Sequence, residues 1–188
     1  MTTTDNESWV VWELMGSTDG RTRGAMTALL GTTAASAAYQ GWDLKLKLSS
    51  VGSDGHWPHV MGLWRVPDDA TLGATLAHGW DDGVDEDGFT WGKSKLYRKL
   101  HGDLRAGDTA YLFEYLVADT PSALAALKTP DLVFAETLAP WQGVAVWSAT
   151  DLFKLTEREW QGIGTVGAPG IREATGWWAV LTPDRDIV

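Results

Sequence analysis

Cysteine is absent from the 188 residues, which removes disulfides, thiolate nucleophiles and Cys-ligated zinc together. No apolar run approaches the roughly 18 residues needed to cross a bilayer, so no membrane span is expected. The opening stretch Met1–Glu7 has neither the basic start nor the apolar core of a secretory leader, and a cytoplasmic location is the expectation. Basic residues are scarce: 15 Lys and Arg stand against 25 Asp and Glu, a formal charge of −10. That weighs against nucleic acid as a partner, because phosphate binding is carried by Lys and Arg. The sequence holds no G-x-S-x-G and no H-E-x-x-H, so the commonest serine-hydrolase and zinc-protease signatures are missing. Two glycine-rich stretches match phosphate-binding motifs by letter only. Gly88-Phe89-Thr90-Trp91-Gly92-Lys93-Ser94 is one residue short of a P-loop and follows an acidic run, not an apolar strand. Gly162-Ile163-Gly164-Thr165-Val166-Gly167 spells G-x-G-x-x-G but follows an expected helix, so the dinucleotide mechanism does not apply.

Tryptophan, by contrast, is abundant, with 12 residues. Each buries on the order of 200 Å² and keeps an N–H that wants a polar partner, so the set either fills a bulky core or lines a pocket for a flat ligand. The chain also echoes itself. Val10-Val11-Trp12-Glu13-Leu14-Met15 and Tyr111-Leu112-Phe113-Glu114-Tyr115-Leu116 both read apolar, apolar, aromatic, Glu, apolar, apolar. Leu63-Trp64-Arg65-Val66-Pro67-Asp68 is answered by Val146-Trp147-Ser148-Ala149-Thr150-Asp151. Such echoes suggest an internal repeat.

In the first half, Ser8 to Met15 is apolar on both faces apart from Glu13, which predicts a central strand. Ala25 to Tyr39 reads as a helix weakened by Gly31 and its threonines. Trp42 to Leu48 alternates apolar and polar, a half-buried strand, and His59 to Val66 is a third. Asp68 or Asp69 then caps a helix carrying Leu72 and Leu76, and Phe89 to Trp91 closes the half as a short strand. The second half runs in the same order: a strand over 109–117, a helix over 121–127 opened by Pro121, and strands over 131–136 and 143–149. A helix from Asp151 to Trp160 capped by Thr150 and a strand over 175–182 complete it. Leu96, Leu100 and Leu104 recur every four residues among Lys and Arg, which predicts an amphipathic helix joining the halves.

Glu13 and Glu114 are the candidate acid/base residues, each sharing a strand with apolar neighbours. A carboxylate buried there needs a partner or has its pKa raised by desolvation, and a raised carboxylate serves general acid/base work. Trp12, Trp64, Trp147 and Phe113 are the candidate ligand-binding aromatics. Lys93, Lys95, Arg98 and Lys99 concentrate positive charge and are the candidate partner-binding set, just after the acidic run Asp81–Asp87. Asp54, His56 and His59 are the densest group of possible metal ligands, but no fourth ligand is evident and no metal site is assigned. His78 and His101 read as surface histidines. No particular cofactor is indicated.

The βαββαβ order of each half, with the aromatic content, resembles the α+β-barrel proteins in which two ferredoxin-like units pack sheet against sheet. That group includes cofactor-free monooxygenases and cyclases of aromatic polyketides, and haem enzymes such as chlorite dismutases. Gly16-Ser17-Thr18-Asp19-Gly20 is similar to the G-x-x-D-G of dye-decolourising peroxidases in the same group, although no proximal His stands out here. The Gly162–Gly170 loop, set between a last helix and a last strand, resembles in placement that of RAMP-type RNA-binding CRISPR proteins.

The expected fold is therefore α+β: two ferredoxin-like halves, 1–92 and 107–188, with antiparallel sheets packed as an α+β barrel or sandwich, joined by a basic helix at 93–106. The expected function is binding of an apolar or aromatic small molecule in a Trp-lined cavity, with proton transfer or oxygenation as the chemistry if it is an enzyme. The alternatives are an acidic interaction or inhibitor protein steered electrostatically to a basic partner, and a RAMP-like RNA-binding role.

Overall fold

The computed structural model describes residues 8–16, 41–50, 60–66, 68–71, 73, 89–160 and 167–181. Those residues form eight strands and two regular helices: β1 (Ser8–Gly16), β2 (Asp43–Ser50), β3 (Val60–Val66), β4 (Phe89–Gly102), β5 (Ala110–Ala118), α1 (Pro121–Ala126), β6 (Leu132–Glu136), β7 (Gln142–Ala149), α2 (Leu152–Trp160) and β8 (Ile171–Leu181). The α+β class expected from the sequence holds. The expected helix over 25–39, the Asp54/His56/His59 group, His78 and the acidic run 81–87 lie outside the described residues. The chain divides into two units, 1–96 with 182–188, and 97–181.

In the first unit β3 lies between β1 and β2, antiparallel to both. The alternation in β2 does what a half-buried strand requires: Trp42, Leu46 and Leu48 are buried while Asp43, Lys45 and Lys47 remain partly exposed. A bulge between Leu44 and Leu46 interrupts the β2–β3 ladder. Trp64, fully buried, meets Trp42 edge-on with ring centroids 6.3 Å apart. Arg65 and Asp43 stand opposite each other and pair at 3.2 Å. Residues 69–71 are helical, and Asp68 caps them by accepting from the Thr71 N–H at 2.7 Å.

In the second unit the strands run β8-β5-β7-β6-β4, with Tyr97–Gly102 of β4 at the end beside β6. The pairings from β8 through β6 are antiparallel. Element order over 110–181 is the β-α-β-β-α-β expected for this half. One face of the sheet carries both helices. Leu124 of α1 and Leu127 pack on Leu116, Val133, Ala135 and Ala145, and Leu155 of α2 packs on Ala110, Leu112, Trp147 and Ala149. Burying each Leu contributes about 2 kcal/mol. Thr120 caps α1 by accepting from the Ala123 N–H at 3.3 Å, with Pro121 in the first turn. The cap of α2 is Asp151, which accepts from the Lys154 N–H at 2.8 Å; Thr150, the expected cap, instead accepts from the Lys154 ammonium at 3.0 Å.

The basic helix expected at 93–106 is not formed. Residues 89–102 are the 14-residue strand β4. A spacing of four is even, so Leu96 and Leu100 share a face in a strand as well as in a helix, and pairing with β6 supplies the backbone partners. The strand bulges between Lys99 and His101 and ends at Gly102, whose φ is +85°. A Cβ at Gly102 would stand 2.1 Å from the Asp131 carbonyl oxygen, and that same oxygen accepts from the Asp103 N–H at 3.1 Å. Gly102→Ala is expected to cost about 2 kcal/mol or more through left-handed backbone strain and overpacking. Urea denaturation measures it; a change under about 0.5 kcal/mol would show that β4 does not end as described.

Candidate functional site

Of the sequence-predicted residues, the structure joins two. Leu112 of β5 faces Trp147 of β7, and Glu114 faces Ala145; two residues apart along a strand share a face, so Glu114 and Trp147 are diagonal neighbours on the helix-covered side. The Trp147 indole N–H donates to Glu114 Oε2 at 3.1 Å, and both residues are buried. The expectation that a carboxylate in this apolar strand needs a partner is met by that bond.

Phe113 is a different matter. It stands between Leu112 and Glu114 in an unbroken strand, so it faces the other side of the sheet, fully buried with Tyr111. On that side Tyr97 and Phe134 contact each other with centroids 6.0 Å apart. One cavity on the helix-covered face therefore cannot be lined by both Phe113 and Trp147. Trp64 is packed in the first unit. Trp12 and Glu13 stand in β1 opposite Gly62 and Met61; their side chains lie outside the described residues. The register also separates the two echoes. Trp147 faces Leu112, two positions from Glu114, whereas Trp64 faces Val10, three positions from Glu13. The Glu–Trp sets are one residue out of phase.

The candidate partner-binding cations sit on β4 in place of a solvated helix face. Lys95 and Arg98 are half-buried, and Lys99 pairs with Asp103 at 2.9 Å; Lys93 has only its backbone described. His101, read as a surface residue, is half-buried opposite Val133. Its pKa is pushed below the ordinary value by burial first and by the Lys128 charge second, with the Leu127 carbonyl acting in the opposite sense.

Next to Trp147 lies a polar network that sequence reasoning missed. Asp131 immediately precedes β6, and its carboxylate is 2% exposed. Its Oδ2 accepts from the Ser148 N–H at 2.8 Å and from Arg158 Nη1 at 2.8 Å; its Oδ1 pairs with Arg105. Ser148 Oγ donates to Asp108 Oδ2 in a short contact. Arg158 also donates to the Ser148 carbonyl at 2.5 Å, and its guanidinium carbon lies 5.6 Å from the centre of the Trp147 ring. Glu114, Trp147, Arg158, Asp131, Ser148 and Asp108 thus form one connected chain of polar contacts and ring stacking. Beside it opens a cleft of about 390 Å³ lined by Arg105, Asp108, Ser148, Ala149, Thr150, Lys154, Glu157 and Arg158. The available signals were slight: a lone Ser at the end of the apolar run Val144–Trp147, and a single Asp opening an apolar strand.

Tyr111, opposite Ser148 on β5, donates to the Asp108 carbonyl at 2.9 Å. Its pKa is pushed up to about 12, by burial first and by the Asp108 charge second. The folded state therefore holds the phenolic proton more tightly than the unfolded chain, whose tyrosine titrates near 10. This contribution is fully present below about pH 10 and is lost as pH rises toward about 12, a loss of roughly 1–3 kcal/mol. Tyr111→Phe is expected to flatten that alkaline decline. Denaturation midpoints at about pH 8 and about pH 11 measure it, and an unchanged slope would contradict the assignment.

No family model and no curated protein matches the chain. Solved structures do. An anthrone oxidase-like protein superposes with a TM-score of 0.64 at 12% identity, covering 96% of this chain and 93% of that one. A candidate monooxygenase from Lactobacillus acidophilus gives 0.58 at 9% identity, with 94% of each chain covered. A mutant chlorite dismutase from Candidatus Nitrospira defluvii gives 0.58 at 10% identity, covering 96% and 93%. The RAMP-like placement gains no support, since residues 161–166 of that glycine-rich loop lie outside the described residues.

The one histidine among the described residues, His101, stands opposite Val133, part of the apolar cluster with Leu116, Leu124 and Leu127, and beside the cation of Lys128. No group of three His, Asp or Glu able to hold a metal occurs among the described residues, and no described helix is long and apolar enough to cross a membrane. What this chain has in common with these proteins is an antiparallel-sheet α+β fold, at identities that speak for the fold alone.

Proposed function

We propose that the protein is a small-molecule oxygenase-type enzyme that takes a flat, apolar or aromatic substrate on the helix-covered face of the second unit. The observation that carries this reading is the buried Glu114 carboxylate held by the Trp147 indole among the packed apolar side chains of Leu112, Leu116 and Ala145. Burying a carboxylate is costly, and acid/base chemistry on an apolar substrate gives that cost a use. The likeness in fold to an anthrone oxidase-like protein and to candidate monooxygenases supports the same class of chemistry.

In this reading Glu114 is the general base and Trp147 positions it. Proton removal from an activated C–H, such as the methylene of an anthrone, leaves an electron-rich carbanion that dioxygen can oxidise. One oxygen atom ends in the new carbonyl and the other in water, so anthrone and O₂ give anthraquinone and water. Glu13, Trp12 and Trp64 belong to the first unit and take no part in this reading. The basic-partner alternative rests on residues 81–87, and no described contact favours it.

Anthrone is the first probe. Oxygen uptake and the anthraquinone absorbance are expected to rise above the uncatalysed rate. Glu114→Gln, which keeps an acceptor for the indole, is expected to lower the rate by about a hundredfold or more. Equal rates in the two proteins would remove Glu114 from the chemistry.

A further inference from the structure

From the cleft beside Ser148 we infer a second ligand site, for a small carboxylate that carries a hydroxyl next to its anionic group. Three cations line it: Arg105, Lys154 and Arg158. Arg158 is committed inward, to Asp131, the Ser148 carbonyl and the Trp147 ring. Arg105 and Lys154 are not so confined. Their side chains are 63% and 61% exposed; Arg105 pairs with Asp131 Oδ1 through Nη2 and the Lys154 ammonium donates to Thr150 Oγ1, and each has further N–H donors. Those further donors can meet an anion in the cleft while Arg105 stays on Asp131 and the buried network keeps its partners.

The cleft also offers the complementary function. Asp108 spends Oδ2 on the Ser148 hydroxyl, which leaves Oδ1 as an acceptor for a ligand hydroxyl. Asp108 and Ser148 are both buried and are held by the fold: Ser148 by the β5–β7 ladder, and Asp108 through the bond of its carbonyl to Tyr111. Fixed acceptors beside adaptable cations suit a ligand with one donor and one anionic group close together. The volume of about 390 Å³ is at the small end of ligand pockets, about 300–1,000 Å³. A simple anion would satisfy the cations alone; the buried carboxylate is what selects a hydroxylated one.

This site stands apart from the oxygenase reading, and Glu114 takes no part in it. The test is isothermal titration with tartrate and with succinate, its counterpart without hydroxyls. Tartrate is expected to bind about tenfold more tightly than succinate, since its hydroxyl adds a hydrogen bond to a charged acceptor. Lys154→Gln is expected to weaken both about fivefold, as loss of one exposed ion pair should. Asp108→Ala, which removes the acceptor, is expected to erase the preference for tartrate. Tartrate and succinate binding equally, a Lys154→Gln protein that binds as the wild type does, or no saturable binding of either would each overturn the inference.

Discussion

Asp131→Ala is expected to destabilise the protein by about 3–5 kcal/mol, the cost of removing one partner from a buried charged network. The carboxylate is almost fully enclosed and gathers two guanidinium groups and one backbone N–H. Without it, Arg105 can turn to water. Arg158 cannot do so as readily, because its side chain is only 28% exposed. The Ser148 N–H loses its acceptor in the interior, at about 1–3 kcal/mol. Asp131→Asn keeps an acceptor and the shape but gives up the charge, so a smaller loss is expected. Guanidinium denaturation of both variants measures this, and a loss below about 1 kcal/mol for the alanine variant would show that the network is not closed as described.

Trp147→Ala is expected to be of similar size, about 3–5 kcal/mol, for different reasons. A large apolar side chain packed against Leu112 and Leu155 leaves a cavity. Glu114 loses the indole N–H, and Arg158 loses the ring beneath it. Trp147→Phe separates these causes. Phe retains a ring for Arg158 and much of the packing, so the loss should fall to about 1–3 kcal/mol, mostly the unpaired carboxylate. If Phe cost as much as Ala in the same denaturation experiment, packing would not be what holds the site together.

Most of the backbone was legible because its signals are local. The alternation in Trp42–Leu48 marked β2, the apolar run of Ser8–Met15 marked β1, and Pro121 marked the start of α1. Among the described residues, the strand expected over Phe89–Trp91 is the start of β4, and the stretch misread is its continuation over 93–102, where the four-residue spacing of Leu96 and Leu100 fits a strand face and a helix face equally. Its β6 partner, which decides between them, is more than thirty positions away. The site was legible in part for a related reason. The echo around Glu114 and Trp147 singled out two residues that do meet, yet it grouped Phe113 with them, and a strand sends neighbours to opposite faces. Asp108, Asp131, Ser148 and Arg158 carry no joint signal in sequence. They meet only once β5, β6, β7 and α2 are assembled, so their chemistry is a product of topology.

In the proposed function Trp147, held by Glu114, forms part of the site that receives an apolar aromatic ligand. The most direct measurement is the set of indole N–H resonances in protein labelled with ¹⁵N-tryptophan, with Trp147 assigned by its absence in Trp147→Phe. The Trp147 resonance is expected to move in Glu114→Gln and to shift progressively and saturably as anthrone is added without oxygen. A Trp147 resonance unmoved by anthrone, while other indoles shift, would place the ligand elsewhere and contradict it.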